Sequence, residues 1–225
     1  MGELAKKMYN YLKYKHTRVP HSKQAFVLKL PPNARLLDVG CGNGSPMGTK
    51  RWRDDIYYCG IDVGDYNQTN ETLKWADEYI ISTPEDFAKN IMEIKGTFDG
   101  IISNHNIEHC NKPKETIEVI CSKLKPGGRL HLAFPSEESV NFPSREGTLN
   151  FYDDPTHIWL PNYKKMIQLL KKNGMKIIFA RKQYKPLYIW LWGGITERKS
   201  RKLGKVLRGT WAWWGFETVI WAEKL

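Results

Sequence analysis

The stretch Leu36–Ser45, LLDVGCGNGS, constrains the fold more than any other part of the chain. A short β-forming run carries an acid, Asp38, and passes at once into three alternating glycines, Gly40, Gly42 and Gly44. Glycine lets the main chain adopt left-handed turns and lets a ligand approach backbone where a Cβ would collide. A turn of this kind after a strand is where an open α/β sheet binds its ligand, outside the carboxyl ends of the strands at the switch point.

The rest of the chain supplies such a sheet. The runs ARLLDV, YYCGIDV, EYIIS, FDGIISN, RLHLAFP, MKIIFA and FETVIWAE read as strands, several apolar on both faces as buried parallel strands are. Helical patterns lie between them. PKETIEVICSKL places Ile117, Ile120, Cys121 and Leu124 at helical spacing behind a proline, and PNYKKMIQLLKKNG runs from Pro161 to Gly174. This alternation predicts a doubly wound α/β fold. Asp62, at the end of the second strand, can accept hydrogen bonds from both hydroxyls of a ribose, so the ligand reads as an adenosine-type nucleoside.

The spacing separates the nucleoside cofactors. A dinucleotide fingerprint needs glycine at position 45, where the chain has Ser45. The pattern acid-x-Gly-x-Gly-x-Gly, met by Asp38, Gly40, Gly42 and Gly44, resembles the first motif of the class I S-adenosylmethionine-dependent methyltransferases. Asp62 matches their ribose-binding acid. FDGIISNHNIEH is similar to their fourth-strand motif and LKPGGRLHLAFP to their fifth strand, while DPTHIWLPNYKKMIQLLKKNGMKI resembles the late helix and strand of the small-molecule branch, the type 11 and ubiquinone-biosynthesis-like group.

The resemblance implies a Rossmann-like, mostly parallel seven-stranded sheet with an antiparallel last strand. It implies one methyltransferase domain over 1–225, an N-terminal helical cap over 1–30, and an insertion over 185–215 between the last two strands. The cofactor would be S-adenosyl-L-methionine, leaving as S-adenosyl-L-homocysteine, with contacts from Asp38, Gly40, Cys41, Gly42, Gly44, Asp62, Val63, Ser82, Thr83, Asn104 and His105. Ser82 and Thr83 serve equally well as a helix cap with Pro84 at the first helical position. Methyl transfer needs an aligned nucleophile and a destination for its proton. His157, in DPTHIWLP, is the first candidate base because histidine titrates near neutral pH, and His105 is the second. A cap for the following helix, or a bond to Asp153 or Asp154, is the structural alternative for His157; Glu108 and His109 read as structural. Asp153, Asp154, Glu137 and Glu138 do not match the metal-dependent O-methyltransferases in position, so no metal is expected.

Charge and aromatic content bear on the acceptor. The formal charge is +11, and Arg181–Arg208 holds nine basic side chains against Glu197 alone. Six of the nine tryptophans fall at or after Trp190. That segment could track phosphates and stack bases, which keeps an RNA methyltransferase as one alternative. The fourth-strand sequence SNHNIEHC carries neither the Asp/Asn-Pro-Pro-aromatic motif nor the Pro-Cys nucleophile of nucleic-acid enzymes in the superfamily. The favoured acceptor is therefore a small anionic molecule, methylated on oxygen: a phosphorylated, nucleotide-linked or lipid-linked sugar or glycan precursor. A non-catalytic cofactor-binding partner subunit is the remaining alternative. A helix over 195–208 would place Ile195, Leu203, Val206 and Leu207 on one side, with Gly204 weakening it. It reads as a lid over the acceptor, a homodimer contact, or a peripheral contact with the inner membrane surface. No apolar run reaches membrane-span length, and the four cysteines form no zinc pattern, which reads as a cytoplasmic protein with reduced thiols.

Overall fold

The structure is a computed structural model that describes residues 19–42, 44–64 and 69–225. Most of the 1–30 cap therefore lies outside the described residues, which begin just before helix α1, Lys23–Val27. The strands are β1 (Arg35–Val39), β2 (Tyr57–Asp62), β3 (Glu78–Ile81), β4 (Phe98–Asn104), β5 (Leu124–Pro135), β6 (Met175–Arg181) and β7 (Glu217–Lys224). The helices after α1 are α2 (Ser45–Trp52), α3 (Asn70–Leu73), α4 (Phe87–Glu93), α5 (Pro113–Ser122), α6 (Tyr163–Lys172), α7 (Leu187–Leu203) and α8 (Thr210–Trp214).

The strands form one sheet in the order β3-β2-β1-β4-β5-β7-β6. β7 runs antiparallel to both β5 and β6, and the other pairings are parallel. The expected fold class is the one observed. The order reverses between β1 and β4, so the loops leaving these two strands diverge and open a crevice at their carboxyl ends.

Side chains alternate across the sheet into two cores. Leu37, Val39, Ile61, Ile101, Leu130 and Leu132 pack with Phe87 and Ile91 of α4, Ile117 and Ile120 of α5, and Met166 and Leu170 of α6. On the opposite face Leu36, Tyr58, Ile102, Ala133, Val219 and Trp221 pack with Phe26 and Val27 of α1. The helix signals act locally. Pro113 starts α5, and the Asn162 side chain, one residue beyond Pro161, accepts from the Lys165 amide to cap α6.

His131, on β5, is a buried polar link between strands. The Trp221 indole can only donate, and it donates to Nδ1 at 2.7 Å. Nε2 therefore carries the proton and donates to Asn104 Oδ1 at 2.8 Å. Burial, joined by the charges of Lys23, His105 and His21, holds the His131 pKa down at about 3.

The segment between β6 and β7 departs from its expected form. Instead of a helix over 195–208, α7 begins at Leu187 behind Pro186 and stops at Leu203. Gly204, with φ of 63°, takes the left-handed conformation that closes a helix, and its amide reaches back to Arg201 and Ser200. Val206 and Leu207 then turn back toward the sheet. α7 crosses the start of α8 on glycine: a Cβ at Gly193 would lie 2.2 Å from the Gly209 carbonyl oxygen. Trp190 and Trp213 stack there at 5.3 Å. The buried Arg145 anchors α7 through Glu197 at 2.6 Å and Ser200 at 2.7 Å. The outer side of α7 exposes Leu187, Tyr188, Leu191 and Ile195. Among the described residues no helix is long and apolar enough to cross a membrane.

Two outcomes follow from this packing. The unfolded-state histidine binds a proton near pH 6.5 and the folded one near 3, so His131 contributes stability above about pH 6.5 that is lost as pH falls toward 3. Denaturant unfolding across pH 3.5–7 should show that loss in the native chain and a flatter profile in His131→Gln, which keeps a donor and an acceptor. Gly193→Ala forces α7 from α8 and should cost about 1–3 kcal/mol in the same assay.

Candidate active site

The turn after β1 has its glycines in left-handed conformations, with φ of 72° at Gly40, 55° at Gly42 and 78° at Gly44. They do different work. A Cβ on Gly40 would sit 2.4 Å from the Asn106 side chain, so that glycine permits close packing of the β1 and β4 loops. A Cβ on Gly42 would meet nothing within 4 Å, because this residue faces a cavity of about 580 Å³. Gly44 stands at the N-cap of α2.

Asp62, at the end of β2, is fixed from both sides. Its Oδ2 accepts from the Gly42 amide at 2.6 Å and its Oδ1 from the Val63 amide at 2.7 Å. Burial raises the carboxyl pKa above its ordinary value, while these two amides oppose the rise. Each oxygen retains a lone pair, and the residue lines the cavity, so two hydroxyls can be received side by side. Val63, Pro84 and Phe87 supply an apolar wall next to it.

Asp38 lies behind the loop rather than on the cavity wall. Its Oδ2 receives Tyr58 Oη at 2.7 Å, Lys23 Nζ at 2.6 Å and the Ser45 hydroxyl, which ties α1, β2 and α2 to the end of β1. Its Oδ1 is buried with no partner among the described residues. Cys41 is also internal, with its thiol pKa pushed up by burial and then by Asp38 and Asp62. The Thr83 hydroxyl accepts from the Asp86 amide at 3.2 Å in the turn before α4; the helix itself starts at Phe87 with Asp86 at its N-cap, so Pro84 lies in that turn and not at the first helical position. Ser82 donates to the Thr83 carbonyl at 3.0 Å and receives Asn90 at 2.9 Å.

His105, the residue after β4, takes a left-handed conformation, φ 47°, which is uncommon for a non-glycine residue. Its Nδ1 bonds Glu108 at 3.2 Å and its Nε2 bonds Glu217 at 2.9 Å. Burial alone would disfavour charge on the ring, but the two carboxylates outweigh it and push the pKa up to about 10. At neutral pH His105 is an imidazolium with both nitrogens occupied, unsuited to receiving a proton. The other base candidate, His157, has 4% of its side chain exposed and bonds the Phe151 carbonyl through Nδ1 at 2.6 Å. It lines neither principal cavity; its ring lies 4.7 Å from that of His109, which does line the cofactor-side cavity.

A second cavity of about 700 Å³ opens at the same end of the sheet, beyond Asn104. Its walls are Lys23 and Gln24 of α1, Asn104, His131 and Glu217 of the strands, and Val206–Gly209 with Trp211 from the segment after α7. The two cavities meet at His105, which lines the first while its partner Glu217 lines the second. Sequence reasoning missed Pro84, Phe87, Asn106, Cys110, Asn111, Asp154, Thr156 and Ile158 around the first cavity. Only Asn106, Cys110 and Asn111, within or directly after the SNHNIEH motif, carried a signal, by proximity to it.

Comparison with known proteins agrees with this geometry. Residues 11–179 match the family model described as a methyltransferase domain. An O-methyltransferase of Pyrenophora dematioidea is 25% identical over 194 residues, 81% of this chain and 70% of that protein. A ubiquinone biosynthesis O-methyltransferase of Xanthomonas campestris is 31% identical over 108 residues, 45% of this chain and 43% of its own length. The match thus spans less than half of that relative. The crystal structure of a SAM-dependent methyltransferase from Archaeoglobus fulgidus superposes with a TM-score of 0.53 at 20% identity, over 97% of this chain and 94% of that one, which shows a shared fold.

Two substitutions test the cavity wall. Asp62→Ala removes a doubly accepting carboxylate and the brace on the Gly42 amide; it should weaken S-adenosylmethionine binding by about 2–4 kcal/mol, from about 1.5–3 per charged hydrogen bond less water replacement. Gly42→Val points a branched side chain into the open space and should abolish binding measured by calorimetry, with the fold retained by circular dichroism.

Proposed function

The chain belongs to the methyltransferase-domain family, and from that footing we propose that it methylates an oxygen of a small, anionic acceptor with S-adenosylmethionine as donor. The cofactor supplies a sulfonium-bound methyl group as the electrophile. The residues present fit it: Asp62 offers adjacent acceptors for a ribose, Val63, Pro84 and Phe87 an apolar wall for a base, and Gly42 open backbone. The orphaned Asp38 Oδ1 leaves a buried acceptor behind the loop.

The observation that carries the acceptor reading is the second cavity. At about 700 Å³ it has the size of a small-molecule site, and the segment after α7 closes one side of it. We place the body of the acceptor there and its reacting oxygen beside the His105–His109 turn. Asn104 is oriented for this task, since His131 occupies its amide oxygen and leaves its NH₂ group for a ligand. The relatives named as O-methyltransferases support oxygen as the methylated atom.

Anion recognition narrows to one residue. Of the basic cluster, Arg208 lines the cavity, held over the Trp192 ring at 6.0 Å. Lys205 pairs with Glu146 at 2.8 Å, and Arg198, Arg201 and Lys202 line neither this cavity nor the first. Lys23 is committed to Asp38. A phosphorylated, nucleotide-linked or lipid-linked sugar meets these requirements.

Methyl-labelled cofactor incubated with fractionated metabolites, glycan precursors and RNA should place label on a small hydroxyl-bearing anion. Label confined to RNA would overturn the reading. With the acceptor in hand, Arg208→Gln should raise its KM by about 10- to 100-fold with kcat little changed, equivalent to about 1.5–3 kcal/mol for one charged hydrogen bond.

A further inference from the structure

We propose that Glu108, His109 and His157 form a binding site for one divalent first-row transition-metal cation of the zinc type, on the wall of the cofactor-side cavity. One carboxylate oxygen of Glu108 and one ring nitrogen from each histidine all lie within 4.8 Å of one another. Two of the three residues sit on the short 3-10 turn Ile107–His109, and the third on the loop before α6. Main-chain bonds hold these pieces in register: the amides of Ile158 and Trp159 both donate to the Glu108 carbonyl, at 3.0 and 3.1 Å.

The hydrogen bonds around the cluster set its chemistry. His109 Nδ1 faces the Thr156 carbonyl at 3.1 Å and, at 2.9 Å, the Thr156 hydroxyl, whose own proton goes to Asp154 Oδ1; His157 Nδ1 faces the Phe151 carbonyl at 2.6 Å. A carbonyl can only accept, so each Nδ1 carries the proton and each Nε2 presents its lone pair. Metal-binding histidines are oriented in this way, with the second nitrogen donating to a carbonyl or carboxylate. Glu108 is fully buried; His105 occupies its Oε1, while its Oε2 has no partner among the described residues. A buried carboxylate oxygen left unpaired costs about 1–3 kcal/mol or more. Neither His109 nor His157, close as they are, hydrogen-bonds to it. A cation satisfies all three. Asp154, with Oδ2 3.9 Å from His157 Nε2, adds negative charge nearby.

Donor type selects the ion. Two imidazoles and one carboxylate suit zinc, iron, cobalt or nickel, whereas magnesium and calcium take oxygen ligands. Three protein donors also leave coordination positions open, as in catalytic rather than structural zinc sites. Of the three ligands His109 lines the cofactor-side cavity, as do the neighbouring Asp154 and Thr156, which sets the site next to it. A hydroxyl bound there would lose its proton to solvent near neutral pH. That supplies what the protein side chains do not, since both nitrogens of His105 are taken by carboxylates and His157 lines neither cavity. This second consequence rests on the methyl-transfer reading; cation binding does not.

The test uses tag-free, chelator-treated protein titrated with Zn²⁺ by calorimetry and with Co²⁺ by visible absorption. One equivalent should bind with micromolar or tighter affinity, with cobalt bands of mixed nitrogen and oxygen ligation that excess Mg²⁺ leaves unchanged. Glu108→Gln, His109→Ala and His157→Ala should each weaken binding at least tenfold. Circular dichroism identifies any variant that fails to fold, and the partly exposed His109 serves as the decisive position if the buried ones do. Absence of stoichiometric binding, or binding that survives His109→Ala, overturns the site. Zinc binding with full acceptor turnover in chelated enzyme overturns the hydroxyl role alone. Absence of acceptor methylation with or without zinc would count against the methyl-transfer reading and leave the titration result standing.

Discussion

The 2.6 Å hydrogen bond from the Gly42 amide to Asp62 is the contact on which the site is built. It fastens the loop leaving β1 to the end of β2, next to the point where strand order reverses toward β4. The Gly40 amide adds a second tie at 2.9 Å, to the Ile61 carbonyl. With the loop held from the β2 side, its glycines keep their left-handed turns and Gly42 puts no Cβ into the space before it. Asp38 serves the same loop from beneath. By gathering Lys23, Ser45 and Tyr58 onto one oxygen, it fixes the start of α2 and the approach of α1. Two acids that look equivalent in sequence thus divide the labour, one bracing the loop from within and one presented to the cavity.

Histidines around the ends of β4 and β5 are set apart by their partners. His131 faces an indole donor and an amide, within reach of Lys23 and His105, and stays neutral. His105, one strand over, lies between two carboxylates and is held as a cation. The pair fixes the wall between the cavities: the charged ring bridges Glu108 to Glu217, and the neutral one aims Asn104. His109 and His157 differ again, each with Nδ1 facing a carbonyl. Four residues of one type therefore sit in three kinds of surroundings, set by whether the neighbouring group donates, accepts or carries charge.

The sheet was legible in the sequence because its strands are apolar on both faces or end in glycine and acid, and all seven candidate runs became strands. Gly40, Gly42, Asp62, Val63 and His105 were legible as a site because they lie within or next to a motif, and the structure places all five on one cavity. Elements brought in from a distance were not. Pro84 and Phe87 carry no local sign of facing a ligand, and Lys23 reaches Asp38 across 15 residues through tertiary packing alone. The α7 boundary was missed because Gly204 was weighed as a flaw inside a helix, when its left-handed backbone makes it the end of one. His157 was read as a base from its residue type; the Glu108 carbonyl holds the loop that carries it, and its ring lies against His109.

The most direct measurement is a crystal structure of the protein with S-adenosyl-L-homocysteine. The expected result is an adenosine lying between Gly42 and Phe87, with both ribose hydroxyls on the Asp62 carboxylate and the sulfur directed toward the His105–His109 turn. Nucleoside density in the cavity beneath α7 and α8, or a ribose without contact to Asp62, would contradict the assignment of the glycine loop and Asp62 as the cofactor site.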